Sequence, residues 1–192
     1  MIMKTLLIAL LLILSAASLY PGCTQRPADL AGTRLSFETT DFNGEPVSSE
    51  DIFSQHEITM LNLWASWCGP CVGELAELEE VNEALAGMDG AVVGLLNDGN
   101  GRADAETAQK YLNENGVTYL NILPPANLNE MIPQRVFPTT VFVNRDGVII
   151  GKTLYGTTSK GKIVSYYLDA AKDALAKNNT ENIGTETPGS QK

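Results

Sequence analysis

The spacing of apolar residues changes character several times along the chain, and each change predicts an element. Leu6 to Leu14 is an unbroken apolar run, closed by the small residues Ser15, Ala16, Ala17 and Ser18. From Thr24 to Thr33 large apolar residues are scarce and Pro27 and Gly32 interrupt the chain, which is the composition of a tether. Leu35 to Thr39 alternates as a strand does, Asn43-Gly44 predicts a turn, and Val47 opens a second short strand. Ser48 or Ser49, ahead of Glu50 and Asp51, predicts the cap of a short helix over 51–55. Ile58 to Leu63 reads as a buried strand, and Leu75, Leu78, Val81, Ala84 and Leu85 then fall at helical spacing within 72–86.

Gly87 and Asp89-Gly90 break the chain, and Ala91 to Leu96 predicts a second central strand. A helix over 103–115 ends at Gly116, followed by a short strand over 117–120 and a brief helix over 128–132. Val136 to Val143 leads into another strand, and Asp146-Gly147 turns the chain into a partner over 148–152. A last helix over 159–176 offers Ile163, Tyr166, Tyr167, Ala170 and Leu175 as its apolar positions. From Lys177 the chain has almost nothing to bury, so 177–192 is expected to be a disordered tail. The order predicts an α/β domain over 34–176. It has a mixed central β-sheet flanked by α-helices, with a strand pair as an N-terminal extension.

Charge narrows the partners. Against 13 Lys and Arg stand 23 Asp and Glu, a formal charge of −10. That argues against nucleic acid as a partner and against charge-driven adsorption to anionic lipid. Lys4, the apolar run and the small-residue exit together form an export signal over 1–22. The run is short of the ~20 residues of a stable span, with an uncleaved anchor as the alternative. Leu19-Tyr20-Pro21-Gly22-Cys23 resembles a bacterial lipoprotein cleavage box at Gly22 and Cys23, and departs from it at Tyr20 and Pro21. Lipidation of Cys23, ahead of a tether over 23–33, is therefore expected. Cleavage near Ala17, leaving Cys23 as a free thiol, is the alternative. Either way the protein is placed outside the cytoplasm, and with lipidation it is held to the bacterial cell membrane.

The remaining cysteines carry the chemistry. Three cysteines do not make a disulfide scaffold in a chain of 192 residues. Cys68 and Cys71 sit where a predicted strand meets a predicted helix. Cys-x-x-Cys on a first helical turn brings both sulfurs to one helix end, close enough for a short, reversible disulfide. Unpaired N–H groups and the positive end of the helix dipole stabilise a thiolate there. This is a dithiol–disulfide exchange centre. Zinc needs four ligands, which one cysteine pair and a single histidine, His56, do not supply. His56, in a polar turn, is expected on the solvated surface. Asp98-Gly99-Asn100-Gly101 misses the calcium-loop spacing, and no Cys-x-x-Cys-His is present for haem attachment, so no metal or cofactor is expected.

Trp67-Cys68-Gly69-Pro70-Cys71, followed far downstream by Phe137-Pro138-Thr139 ahead of a hairpin, resembles the thioredoxin superfamily. Export, the N-terminal strand pair, Asn62-Leu63-Trp64-Ala65-Ser66-Trp67 and Glu74-Leu75 make it most similar to the exported, membrane-tethered reductases of the TlpA/ResA type. The resemblance spans about Leu35 to Ala176 and implies a thioredoxin-like fold. It implies Cys68 as nucleophile and Cys71 as the thiol that resolves a mixed disulfide. Gly69 and Pro70 permit the bend, Trp67 packs beside the pair, and Pro138 matches the family's cis-proline that meets the substrate. Phe137, just before it, would tune substrate preference. Implied partners are disulfide-bonded exported proteins and a CcdA/DsbD-like membrane electron donor. Apocytochrome c and methionine sulfoxide reductases are implied as substrates.

Two positions depart from thioredoxin itself. Asn62 stands where thioredoxin has a buried Asp, and it cannot ionise. Glu74 matches a glutamate that ResA-type proteins carry, which implies an acid/base for Cys71; a solvated first-turn glutamate is the bland alternative. Ala76 replaces the family's helix-kinking proline, which favours a straighter helix. An oxidase or isomerase, a thiol peroxidase and a tethered binding protein remain as rivals. The peroxidase lacks its Thr ahead of the cysteine, and an intact cysteine pair argues against a mere docking surface.

Overall fold

A computed structural model describes residues 28–98, 104–133 and 136–185, so the expected export signal, Cys23 and most of the expected tether lie outside the described residues. The N-terminal pair is β1 (Glu38–Thr40) and β2 (Pro46–Ser48), antiparallel, with α1 (Ser49–Phe53) capped by the Ser48 side chain. Then come β3 (Ile58–Trp64), α2 (Gly69–Ala86), β4 (Gly90–Leu96), α3 (Ala105–Glu114), β5 (Asn121–Ile122) and α4 (Leu128–Met131). β6 (Thr139–Val143), β7 (Ile149–Tyr155) and α5 (Ile163–Thr185) close the domain.

The central sheet runs β5-β4-β3-β6-β7. β3 pairs parallel with β4 through its whole length and antiparallel with β6 on its other side, so it is the middle strand. Every residue of β3 is buried, as an apolar run covered on both faces must be. Ile58, Met60, Val92 and Phe142 face Leu78, Val81 and Leu85 of α2 and Tyr167, Ala171 and Ala174 of α5. On the other face Leu61, Leu63, Val93, Leu95, Val141 and Val143 meet Leu35, Phe37, Ile52 and Phe53 from the N-terminal extension. At Gly151, with φ +69°, a Cβ would sit 2.7 Å from Ala174 Cβ, so a side chain there would push α5 off β7.

Several elements differ from the sequence pattern, among them the first strand, expected over 35–39 and found at Glu38–Thr40. The strand expected over 117–120 forms instead at Asn121–Ile122. Glu79 on α2 captures the Thr118 and Tyr119 N–H groups, at 2.5 and 3.4 Å, before a ladder can use them. The strand expected from Val136 begins at Thr139, after the Phe137–Pro138 bond, which is cis. The tail expected to be disordered from Lys177 is helical as far as Thr185. There the helix gains tertiary hold from outside its own pattern, through Asn144 Nδ2 donating to Asn178 Oδ1 at 3.2 Å.

Candidate active site

Parallel β3 and β4 end at the same edge of the sheet, and the carboxyl ends of such strands are where an open α/β sheet presents its chemistry. β3 leads through Ala65 and Ser66 to Cys68, which is the N-cap of α2. Cys68 and Cys71 are joined as a disulfide, with their Cα atoms 5.3 Å apart. The Cys71 N–H donates to Cys68 Sγ at 3.3 Å, and the Val72 N–H to the Cys68 carbonyl at 3.0 Å. One orphan N–H of the helix start, that of Cys71, is thus turned onto the Cys68 sulfur, while the Val72 N–H makes the first intrahelical bond. Cys68 is 5% exposed and Cys71 1%, so Cys68 is the sulfur an incoming group can reach.

Gly69 and Pro70 form the first turn of α2. Pro70 needs no N–H there. Gly69 does not have a positive φ, and a Cβ built on it would meet nothing within 4 Å. The backbone therefore does not demand glycine; the missing side chain leaves open space beside the sulfurs. Trp67 is 63% exposed, an exposed large hydrophobic side chain. It meets Phe137 edge-to-face, ring centroids 5.2 Å apart, and Phe137 packs on the buried cluster that holds both cysteines, Trp64 and Leu75. Beyond Phe137 the Pro138 carbonyl is held by the Gly156 N–H at 2.8 Å. An apolar shelf thus adjoins the disulfide.

Glu74, one turn further along α2, is 1% exposed. The solvated first-turn alternative is therefore ruled out. Its Oε2 accepts from Thr157 Oγ1 at 2.5 Å and from the Tyr167 hydroxyl at 3.3 Å. Its Oε1 accepts from Asn62 Nδ2 at 3.3 Å. Asn62 also donates to Thr140 Oγ1 at 3.0 Å, so the amide that replaces an ionisable Asp holds the carboxylate in place. Burial pushes the Glu74 carboxyl up to about 7, against the pull of the Thr157, Asn62 and Tyr167 donors; the Glu77 charge adds to the rise. The Tyr167 phenol is itself pushed up, by burial first and then by the charge of Glu74, so it stays a donor.

Sequence reasoning placed Thr140 and Tyr167 only as strand and apolar helix positions, and it missed two residues more. Asp98, just past the end of β4, accepts the Ser66 N–H on Oδ1 at 2.7 Å and the Asp104 N–H on Oδ2 at 2.6 Å. Its carbonyl accepts the Trp67 indole N–H at 3.1 Å. The place of Asp98 at a strand's carboxyl end was the available signal. Thr157 had none: it is one of several small polar residues in a turn. His56 stands at the opposite end of the sheet, 3.5 Å from Asp89, a third exposed. Among the described residues no group of His, Cys, Asp and Glu could hold a metal.

The Redoxin family profile matches residues 27–167. Sporulation thiol-disulfide oxidoreductase A of Bacillus subtilis is 24% identical over 152 residues, covering 78% of this chain and 88% of that protein. Among solved structures, a thiol:disulfide interchange protein of the thioredoxin family from Chlorobium tepidum superposes with a TM-score of 0.61 at 20% identity. It covers 80% of this chain and 99% of its own. The pneumococcal exposed lipoprotein thioredoxin from Streptococcus pneumoniae gives 0.54 at 24% identity, over 74% of this chain and 99% of its own.

Proposed function

We propose that this chain, which belongs to the Redoxin family and is a thiol–disulfide oxidoreductase, works outside the cytoplasm as a membrane-tethered reductase of disulfides in exported proteins. The observation that carries this reading is the Cys68–Cys71 disulfide at the start of α2, beside the shelf of Trp67 and Phe137. The export pattern of residues 1–22 and the lipoprotein-like box at Cys23 support the location. So does the exposed lipoprotein among the structural neighbours.

In the reduced protein the Cys68 thiolate attacks one sulfur of a substrate disulfide. A new S–S bond forms to Cys68, and the other substrate sulfur leaves as a thiolate and takes a proton. Trp67, Phe137 and the backbone around Pro138 receive the apolar segment that carries the disulfide. The Cys71 thiol then gives its proton to the Glu74 carboxylate and attacks Cys68 Sγ; the second substrate sulfur leaves as a thiolate, which takes a proton from water, and the Cys68–Cys71 bond is restored. A carboxyl near 7 is half ionised at neutral pH, as a group that takes and returns a proton should be. Two electrons leave the dithiol in each cycle. A CcdA/DsbD-like membrane donor would return them, and apocytochrome c or methionine sulfoxide reductases are the substrates the family resemblance suggests.

Insulin disulfide reduction by the full chain is the test. Activity that disappears in Cys68→Ser supports exchange chemistry; no activity in the wild-type protein would favour a binding role. Equilibration with a glutathione series then decides direction, since ~30 mV shifts a two-electron balance tenfold. Palmitate-analogue labelling that does not depend on Cys23 would remove the lipid tether.

A further inference from the structure

The Glu74 carboxyl must exchange its proton with water once per cycle, yet it is 1% exposed. Each group around it can be asked whether it reaches solvent. Asn62 and Thr140 come from the middle of the sheet and are themselves 1% exposed; an amide also cannot pass a proton. Tyr167 on α5 is fully buried, with a phenol pushed away from ionisation. Tyr119, which feels the Glu74 charge from the far side, is 7% exposed and pushed upward in the same way. Glu77 on α2 has one carboxylate oxygen buried without a hydrogen-bond partner and the other accepting the Gly161 N–H at 3.1 Å. It repels the Glu74 charge and makes no hydrogen bond with it among those described.

Thr157 is different. It follows β7 in the turn Gly156-Thr157-Thr158, its residue is exposed, and its hydroxyl lies 2.5 Å from Glu74 Oε2. A hydroxyl carries one donor and two acceptor sites. It can donate to the ionised carboxylate, or accept from the protonated acid while giving its own hydrogen to water. We propose that the Thr157 hydroxyl is the proton gateway of this site, linking the sealed Glu74 carboxyl to solvent. The step balances: the proton leaves Cys71 for Glu74 as the Cys71–Cys68 bond forms. Glu74 then passes a proton to Thr157 Oγ1, which releases its own to water, and no further oxidant or reductant enters. Thr157 acts through Glu74 and does not touch substrate. This inference rests on the acid/base reading of Glu74 given above.

The test compares three substitutions in the full chain by single-turnover oxidation of the reduced Cys68/Cys71 pair with a small disulfide, from pH 5 to 9. Thr157→Val fills the same space without a hydroxyl and should slow the pH-dependent step at least ~10-fold, because general acid–base steps carry effects of that size or more. Thr157→Ser keeps the hydroxyl and should behave as wild type. Thr157→Ala vacates room for water beside Oε2 and should recover most of the rate lost in Val. In a Glu74→Gln background Thr157→Val should have no further effect. The gateway is overturned if Val matches wild type while Glu74→Gln is slow, if Ala is as slow as Val, or if the loss in Val persists without Glu74. A pH profile unchanged in Glu74→Gln alone would remove the acid/base reading and the gateway with it, while leaving insulin reduction by Cys68 and Cys71 intact.

Discussion

The two ends of the central sheet both gather polar groups, and they treat charge in opposite ways. At the end away from the disulfide, Glu57 precedes β3, Asp89 precedes β4 and Arg145 follows β6. Arg145 Nε meets Glu57 Oε1 at 2.7 Å, its Nη2 meets Asp89, and its Nη1 donates to the Ser54 carbonyl at 3.1 Å. These side chains are about half exposed, so water and salt screen them and their pairing is worth little. At the disulfide end the Glu74 carboxyl is sealed in with hydroxyls and an amide, and none of its hydrogen-bond partners is a cation. The charges that are paired lie at the end away from the reacting sulfurs. The charge that lacks a counterion is held where a change of proton is easiest.

Predictions that would break or sharpen this contrast follow in order of size. Cys71→Ser should abolish turnover in insulin reduction and leave substrate trapped on Cys68 as a mixed disulfide visible on non-reducing gels. Normal turnover in that variant would dissolve the special standing of the disulfide end. Glu74→Gln comes next. The folded protein binds the Glu74 proton more tightly than the unfolded chain does. Its contribution to stability is therefore full below the ordinary value of 4.5 and is lost as pH rises through about 7. The shift corresponds to about 3 kcal/mol. Urea unfolding at pH 4.5 and pH 8 should show that loss in wild type and not in Glu74→Gln; parallel behaviour of the two proteins would erase the contrast.

Trp67→Ala should raise KM for a protein substrate several-fold with little change in kcat. It should shift stability by no more than the ~1.5 kcal/mol of an edge-to-face ring pair. A large loss of stability instead would make Trp67 part of the packing rather than of the shelf. Arg145→Ala should be the mildest, a small loss of stability that shrinks further in high salt and leaves insulin reduction unchanged. A salt-independent loss well above that would show the far end to be more than a screened surface cluster.

The parts of this molecule that local pattern governs were legible in the sequence. Ile58 to Leu63, buried on both sides, announced itself by an apolar run, and Cys68 to Cys71 announced its chemistry by its spacing together with its place where a strand meets a helix. The burial of Glu74 was not legible. On helical spacing it sits between solvent and core, and what closes over it comes from Thr157 and Tyr167, separated from it by 83 and 93 positions. The strand expected over 117–120 failed for a related reason: the Glu79 carboxylate, 39 positions away from Thr118, takes the N–H groups that a ladder would use. The last helix outran its apolar pattern, since periodicity measures what a helix buries and not how far its backbone bonds extend. Phe137-Pro138 was found through family resemblance rather than through any property of the dipeptide.

Asp98 separates two timetables in the making of this protein. Cys68 and Cys71 are three positions apart, so their bond closes a small ring that a nearly structureless chain can form. The Trp67 indole and the Ser66 N–H, by contrast, wait for a residue 31 and 32 positions further on, delivered only when β4 lies alongside β3. Parallel pairing of that kind is slow because the intervening helix must be placed first. The Cys68–Cys71 ring can therefore close before the Trp67 shelf is set. The shelf comes last, with the register of two strands.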